Sequence, residues 1–493
     1  MKPVIPTLLV TLAFAVAAPA ASDESRSIVE VIVAAQRSDV RLPWRHERTA
    51  ARSGYGVVVD KNKVLTPEDL VRNAVFVEVR RPGEGDKVTA KIRVADCHVN
   101  AALLDIEPGT GIESLPAVQW ANALAPGAKV RITEFDDAGQ PQNGDGRLSE
   151  IAVEPLPGSP NAVLTFKVLT DLKLDRIGAP VFQDGKLAGL VMQYEAETQT
   201  SVALPAPLLR TFLDDASKPP YKGVATAGVA WTALVDPAKR RFLGLADDNT
   251  GVLVLQVIPG SGAAPVLSPG DVILEWGGMP LDAQGYYMDA EFGRLLFPHL
   301  VSGRHRPGDT IPAKIMRNKE RKDVNLTLTA MDDSQALIPQ NVEGREAEYL
   351  VDGGLVLREL TADYLMAHGP KWMLSANPRL VNLYLTRAQF PAEPGERVVI
   401  LAAVLPDPIN VGYQTLHDQI VTQVNGQKVR NLKDVFAIVD RDGTIQRLSL
   451  MSSPLDLVLD AARVQESNAR ILKVYRIPEL RHRRDERQNA NAL

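Results

Sequence analysis

A single cysteine, Cys97, occurs in 493 residues. No disulfide can close within the chain, so the fold has to rest on core burial, which a chain of this length supplies. An isolated cysteine is more often a small buried hydrophobe than a reactive thiol, and Cys97 is read that way. No long basic block is present and the formal net charge is -5, which argues against nucleic acid as a partner. The arginines between Arg481 and Arg487 are interleaved with Asp485 and Glu486, so this end reads as a solvated polar tail, 481–493. Beyond the N-terminus, no segment is apolar over the roughly 20 residues needed to span a bilayer. No His, Cys and Asp spacing reads as a metal cluster, and no cofactor is expected.

What is present is an ordinary globular balance, with 45% hydrophobic and 23% charged residues. The length suggests about three domains. Lys2, the apolar stretch Leu8 to Ala18 and the small residues around Ala18-Pro19-Ala20 have the order of an export signal, 1–21. The mature protein is expected to be exported to the periplasm or cell envelope and not to be inserted in a membrane.

Short apolar runs separated by turn residues fill the region 22–216. Examples are Val57-Val58-Val59, Val75 to Val79, Lys129 to Ile132, Ala162 to Phe166 and Leu187 to Met192. This pattern predicts a mainly β domain, closed by a helix near Ala206 to Leu213. Residues 217–223, with Ser217-Lys218-Pro219-Pro220, read as a linker. A second unit, 224–330, carries Gly251 to Val257, Pro259-Gly260-Ser261-Gly262 and Pro269-Gly270-Asp271-Val272-Ile273-Leu274. A third, 331–480, repeats part of this plan: Val398 to Leu405 and Leu416 to Asn425 stand where Gly251 to Val257 and Gly270 to Trp276 stood. Gly426-Gln427-Lys428-Val429 parallels Gly277-Gly278-Met279-Pro280 as the turn after a strand.

Gly260-Ser261-Gly262-Ala263-Ala264 followed by Pro269-Gly270-Asp271-Val272-Ile273-Leu274 resembles a PDZ domain of the protease-associated kind. The region before it resembles the protease domain of the Do-like (HtrA-type) serine protease family. The matching stretches are Ser53-Gly54-Tyr55-Gly56-Val57, Val64-Leu65-Thr66, Ala101-Ala102-Leu103-Leu104 and Gly178-Ala179-Pro180-Val181-Phe182. Leu42-Pro43-Trp44, Tyr221-Lys222-Gly223 and Asp407-Pro408-Ile409-Asn410 resemble the plant-type branch, which has an enlarged second PDZ domain. The resemblance implies a trypsin-like double β-barrel, then a PDZ domain, then an enlarged PDZ-like α+β domain.

It also implies a Ser-His-Asp triad, in which serine attacks, histidine takes its proton and aspartate holds the histidine. Aligned on those stretches, the histidine position holds Asp69, the aspartate position Asn100 and the nucleophile position Ile177. The oxyanion-loop glycine two residues earlier is Asp175. Isoleucine has no nucleophilic atom, and an aspartate near its usual pKa of about 4 is a poor proton acceptor at neutral pH. No serine lies between Ser159 and Ser201, and no histidine between His46 and His98, so a small slip in alignment restores nothing. His98, two residues from Asn100, is the nearest relocated base if both share one strand face. Glu68 and Asp69 beside Asp175 offer a carboxylate pair, with a solvated acidic rim as the plainer reading.

Binding is what the sequence retains. A PDZ domain adds a peptide as a strand and holds its free carboxylate in a backbone nest. The resemblance puts that loop at Thr226-Ala227-Gly228-Val229. The expected function is an exported, catalytically inactive scaffold, adaptor or holdase-type chaperone. Its partners would be peptide C-termini or unfolded proteins, in a homo-oligomer or in a hetero-oligomer with an active relative. The alternative is a serine-type endopeptidase with relocated chemistry.

Overall fold

The computed structural model of the chain describes residues 23–109, 111–155, 162–245, 249–340, 347–369 and 371–483. The export signal and the last ten residues of the expected tail lie outside the described residues.

Two closed six-stranded barrels come first. Strands Ile28–Ala35, Ala50–Asp60, Lys63–Pro67, Ala74–Arg80, Val88–Asp96 and Ala101–Ile106 make one. Lys129–Phe135, Pro141–Pro155, Ala162–Thr170, Pro180–Gln183, Lys186–Glu195 and Thr200–Pro205 make the other. Counted within each barrel, both close in the order 1-2-3-6-5-4, the arrangement of a trypsin-like double barrel. Alternation along the strands fills them: Val29, Val31 and Val33 enter the core of the first barrel, while Ile28 joins the core shared by the two. That shared core brings Tyr55, Leu65 and Leu103 against Ile132, Phe166 and Leu190, so the cleft between the barrels rests on a continuous apolar floor.

The second unit is a sheet ordered Val229–Thr232, Val252–Val257, Val272–Trp276, Thr310–Arg317, Glu320–Thr327. It packs on the second barrel, with Leu300 and Val301 sharing a core with Val153 and Leu164. The third unit has a longer sheet, ordered Leu457–Val458, Arg447–Leu450, Gln419–Val424, Val399–Val404, Leu355–Glu359, Tyr349–Asp352, Arg481–His482. The repeat read from the sequence reappears as geometry. Trp276 pairs with Met279 across Gly277-Gly278, and Val424 with Gln427 across Asn425-Gly426. Both turn residues have positive φ in each case, 59° and 81° against 50° and 77°, as a two-residue hairpin turn of this hand requires.

Two segments expected to be loose are docked. Arg481–His482 pairs with Tyr349–Leu350, and Arg481 and Arg483 both reach Asp440, so the start of the tail closes the last sheet. Tyr221, in the expected linker, packs edge-on against Phe212 and donates its hydroxyl to Asp96 at 2.6 Å. Both segments have a polar composition that conceals specific partners far away in sequence.

The first barrel also reaches the third unit directly. Between Ala35 and Ala50, Val40, Leu42 and Trp44 pack against the core built on Tyr349, Tyr364 and Leu380. Arg358 donates to the carbonyl of Val40 at 2.7 Å, and Trp44 lies 5.6 Å from the ring of Tyr349. Arg41 pairs with Asp418, a carboxylate that also accepts from Tyr364 and His417. Trp44→Ala is expected to cost about 2 kcal/mol, less than the roughly 3–5 typical of a fully buried aromatic. Urea unfolding followed by limited proteolysis should show the third unit released before the barrels.

His299 sits in the helix Pro298–Ser302 at the contact between second unit and second barrel. It is buried, and its Nε2 has no hydrogen-bond partner. Burial, helped by the Arg304 guanidinium and opposed by Asp289, holds the imidazole down at about 4. The folded state therefore binds this proton less readily than the unfolded chain. The stability contribution is intact above the ordinary pKa near 6.5 and is lost as pH falls toward about 4, by on the order of 3 kcal/mol when complete. His299→Leu should flatten the dependence of the thermal midpoint on pH in that window.

Candidate functional site: a rebuilt cleft and an open sheet edge

The short helix Glu68–Val71 follows the strand Lys63–Pro67 and presents Asp69 to the cleft. Asp69 and Asn100 bond reciprocally: the Asp69 amide donates to Asn100 Oδ1 at 2.9 Å, and Asn100 Nδ2 donates to Asp69 Oδ2 at 2.7 Å. Asn100 is buried with φ of 50°, a left-handed conformation that asparagine tolerates better than most residues. Arg72 bridges Asp69 Oδ1 at 2.8 Å and the buried carboxylate of Glu68. Burial raises the Asp69 carboxyl above its ordinary value, with Glu68 acting the same way and Arg72, Asn100 and Arg52 against it. Asp69 and Asn100, expected at the base and aspartate positions, thus form a closed structural pair, with the carboxylate as acceptor.

Ile177 lies against the core of the first barrel, near Leu70 and Val71. Its carbonyl accepts from the Tyr55 amide at 2.9 Å. Gly178 follows with φ of 84° and donates to the Val191 carbonyl at 2.7 Å. A side chain at Gly178 would run into the backbone of Tyr55, and one at Gly54 would come within 2.7 Å of the Ile177 carbonyl oxygen. The backbone around Ile177 is therefore tightly held.

The holding group was missed in the sequence. Glu134, on the strand Lys129–Phe135 of the second barrel, accepts from the amides of Asp175 and Arg176 through one oxygen, at 3.2 and 3.0 Å. Glu134 is 8% exposed, and burial raises its carboxyl while the two amide bonds oppose that rise. Next to it, Phe135 exchanges two backbone bonds with the Tyr55 hydroxyl at 3.0 and 3.1 Å. Arg176 reaches Glu30, which also takes Arg80 at 2.6 Å. In a trypsin-like protease the amide two residues before the nucleophile is an oxyanion donor; Asp175, expected at that position, gives its amide to Glu134 instead. Asp175, expected to place its charge there, turns outward and pairs with Lys173 at 3.1 Å. Glu68, Asp69 and Asp175 consequently form no carboxylate cluster: the first two are taken by Arg72 and the third by Lys173.

His98 is not on a strand face with Asn100. Residues 97–100 form a turn between Val88–Asp96 and Ala101–Ile106, so strand alternation does not apply. The turn exposes His98 to a different space, a cavity of about 540 Å³ shared by all three units. Cys97 is partly buried. Burial, with Asp96, Glu68 and Asp333 adding to it and Arg72 against it, pushes its thiol above the ordinary range. The same turn brings Asp96, Cys97 and His98 together, with one ligand-type atom from each lying within 4.8 Å of the others. Spacing rules built on separated ligands did not register this run of three.

The predicted peptide loop lies at the same cavity. Thr226 and Val229 line it, together with Ile258, Ser261, Met331 and Phe390. Gly228 has φ of 71°, and a side chain there would collide with Ser261, so the loop needs glycine. Its amide is already taken by Thr226 Oγ1 at 3.0 Å, so the Gly228 N–H is not part of an open nest. Ala225–Thr226 pairs with Thr329–Ala330. The strand that follows, Val229–Thr232, is the end strand of its sheet and pairs only with Val252–Val257 among the described strands. The equivalent strand of the third unit, Leu355–Glu359, has its far edge filled by Tyr349–Asp352.

Residues 338–483 match the family model described as a PDZ domain. The chain is 27% identical over 466 residues to Protease Do-like 2, chloroplastic, of Arabidopsis thaliana, covering 92% of this chain and 74% of that protein. It is 24% identical over 463 residues to Protease Do-like 4, mitochondrial, of the same plant, covering 92% and 84%. In three dimensions it is similar to a variant of the HtrA-type protease AlgW solved with a decapeptide. The TM-score is 0.51 at 18% identity, covering 62% of this chain and 95% of that one.

Glu134→Ala removes the acceptor of two amides, and each charge-assisted bond of this kind contributes about 1.5–3 kcal/mol. The variant should unfold at lower urea, and hydrogen exchange should accelerate at Asp175 and Arg176 while the strands of the first barrel keep their protection.

Proposed function

Because the chain belongs to the Do-like, HtrA-type serine protease family with its PDZ domain, we propose that it is a member without peptidase activity that binds peptide C-termini. The observation that carries this reading is Ile177 at the nucleophile position, on a loop whose amides are held by Glu134. Acyl transfer needs an attacking atom, a base for its proton and donors for the oxyanion. The first is a hydrocarbon here. The second is an aspartate bonded to Asn100 and Arg72. Of the third, the amide of Asp175 is engaged by the Glu134 carboxylate. Groups that work as one unit in catalysis lose on the order of 10⁶ in rate when removed.

Binding needs less: an unpaired strand edge and a pocket for the chain end. Val229–Thr232 supplies the edge, and the cavity beside it has an apolar wall at Val229, Ile258 and Phe390. A peptide ending in a small or medium apolar residue fits that lining. The third unit, with its equivalent edge filled, serves assembly or closure of the cavity and takes no peptide strand. Assembly into oligomers, alone or with an active relative, is part of the same proposal, as are export and a scaffold or chaperone role in protein quality control. Among the described residues no helix is long and apolar enough to cross a membrane.

Three measurements test this together. Casein should remain intact, and a fluorophosphonate probe should leave the protein unlabelled. A fluorescent decapeptide with a free apolar C-terminus should bind, with its C-terminal amide at least tenfold weaker. Val229→Pro, which removes an outward-facing N–H at the open edge, should abolish binding. Labelling of a serine by the probe would sink the first half of the proposal. Equal binding of acid and amide would sink the second.

A further inference from the structure

Asp96 and the turn that follows it, 97–100, hold the one group of described side chains with three different ligand-type donors together. From its donor set we propose that Asp96, Cys97 and His98 bind a divalent cation of the zinc type. A carboxylate oxygen, a sulfur and an imidazole nitrogen within 4.8 Å of one another can close on one ion with small side-chain adjustment. Bond lengths of about 2.0–2.3 Å to zinc put neighbouring donors somewhat closer than that. Sulfur and imidazole select zinc, cobalt or a similar borderline ion over magnesium or calcium, which prefer all-oxygen shells.

The surroundings are built for it. Asp96 is 6% exposed and His98 is 8% exposed, so the ion would be held away from bulk water. Asp96 is oriented by two bonds, from the Tyr221 hydroxyl at 2.6 Å and from the His98 amide at 2.7 Å. Outer partners of this kind fix the direction of a liganding carboxylate. Three protein ligands leave a fourth position, and His98 stands on the wall of the 540 Å³ cavity, where water fills that position. The Tyr221 contact gives the docked segment 217–223 a purpose that packing alone does not explain.

The experiment uses the full-length protein, stripped with chelator and titrated with Co²⁺. One equivalent is expected to bind, with an intense near-ultraviolet band from thiolate-to-cobalt charge transfer and visible bands of four-coordinate strength. Cys97→Ser should lose the near-ultraviolet band, and His98→Gln should weaken binding by at least tenfold, both keeping the wild-type circular dichroism. Tyr221→Phe, which leaves every ligand in place, should weaken binding severalfold. Failure of the wild-type protein to bind one equivalent, or a spectrum unchanged by Cys97→Ser, would overturn the assignment. Neither result bears on peptide binding, which is read separately.

Discussion

A buried carboxylate that accepts two amides fixes the centre of this molecule. Glu134 stands on one barrel and holds the loop that lies against the other, while Tyr55 ties the neighbouring residue back to the first barrel. With those two amides satisfied inside the chain, Ile177 beside them joins the core under Leu70 and Val71. Asp69 and Asn100 satisfy each other in the same way.

The two sheet modules diverge on the same principle. Their central strands keep the same order, and their hairpin turns correspond down to the pair of positive-φ positions. They differ at the edge. Tyr349–Asp352 and Arg481–His482 extend the third unit's sheet by two strands, so its backbone groups are paired inside the chain. Val229–Thr232 keeps its outer edge open beside a cavity. An unpaired edge is a liability unless something covers or uses it; here the walls contributed by Met331 and Phe390 narrow the approach to it.

Much of this was legible in the sequence. Runs such as Val57-Val58-Val59 and Leu187 to Met192 disclosed strands because burial on one or both faces leaves a composition signal. Asp69, Asn100 and Ile177 were singled out because each stands beside a stretch with a clear signal, Val64-Leu65-Thr66, Ala101-Ala102-Leu103-Leu104 and Gly178-Ala179-Pro180. Glu134 was not found, since a single glutamate in a strand carries no mark of the amides it will meet 41 and 42 residues later. Tyr221 and Arg481 were misread for a related reason: polar or proline-rich surroundings report local exposure, whereas their partners, Asp96 and Asp440, are distant in sequence. His98 was placed on a strand face because alternation was carried one turn too far.

The embrace of the third unit by Val40, Leu42 and Trp44 has a consequence for biogenesis. Domains usually fold as units in the order in which they leave the ribosome. Here a stretch completed within the first tenth of synthesis has its apolar seat in strands and helices beyond Tyr349. Until those emerge, a tryptophan and a leucine remain uncovered on the nascent chain. The polypeptide therefore acquires its final form by circling back, and any truncated product would carry a greasy flag that marks it as unfinished.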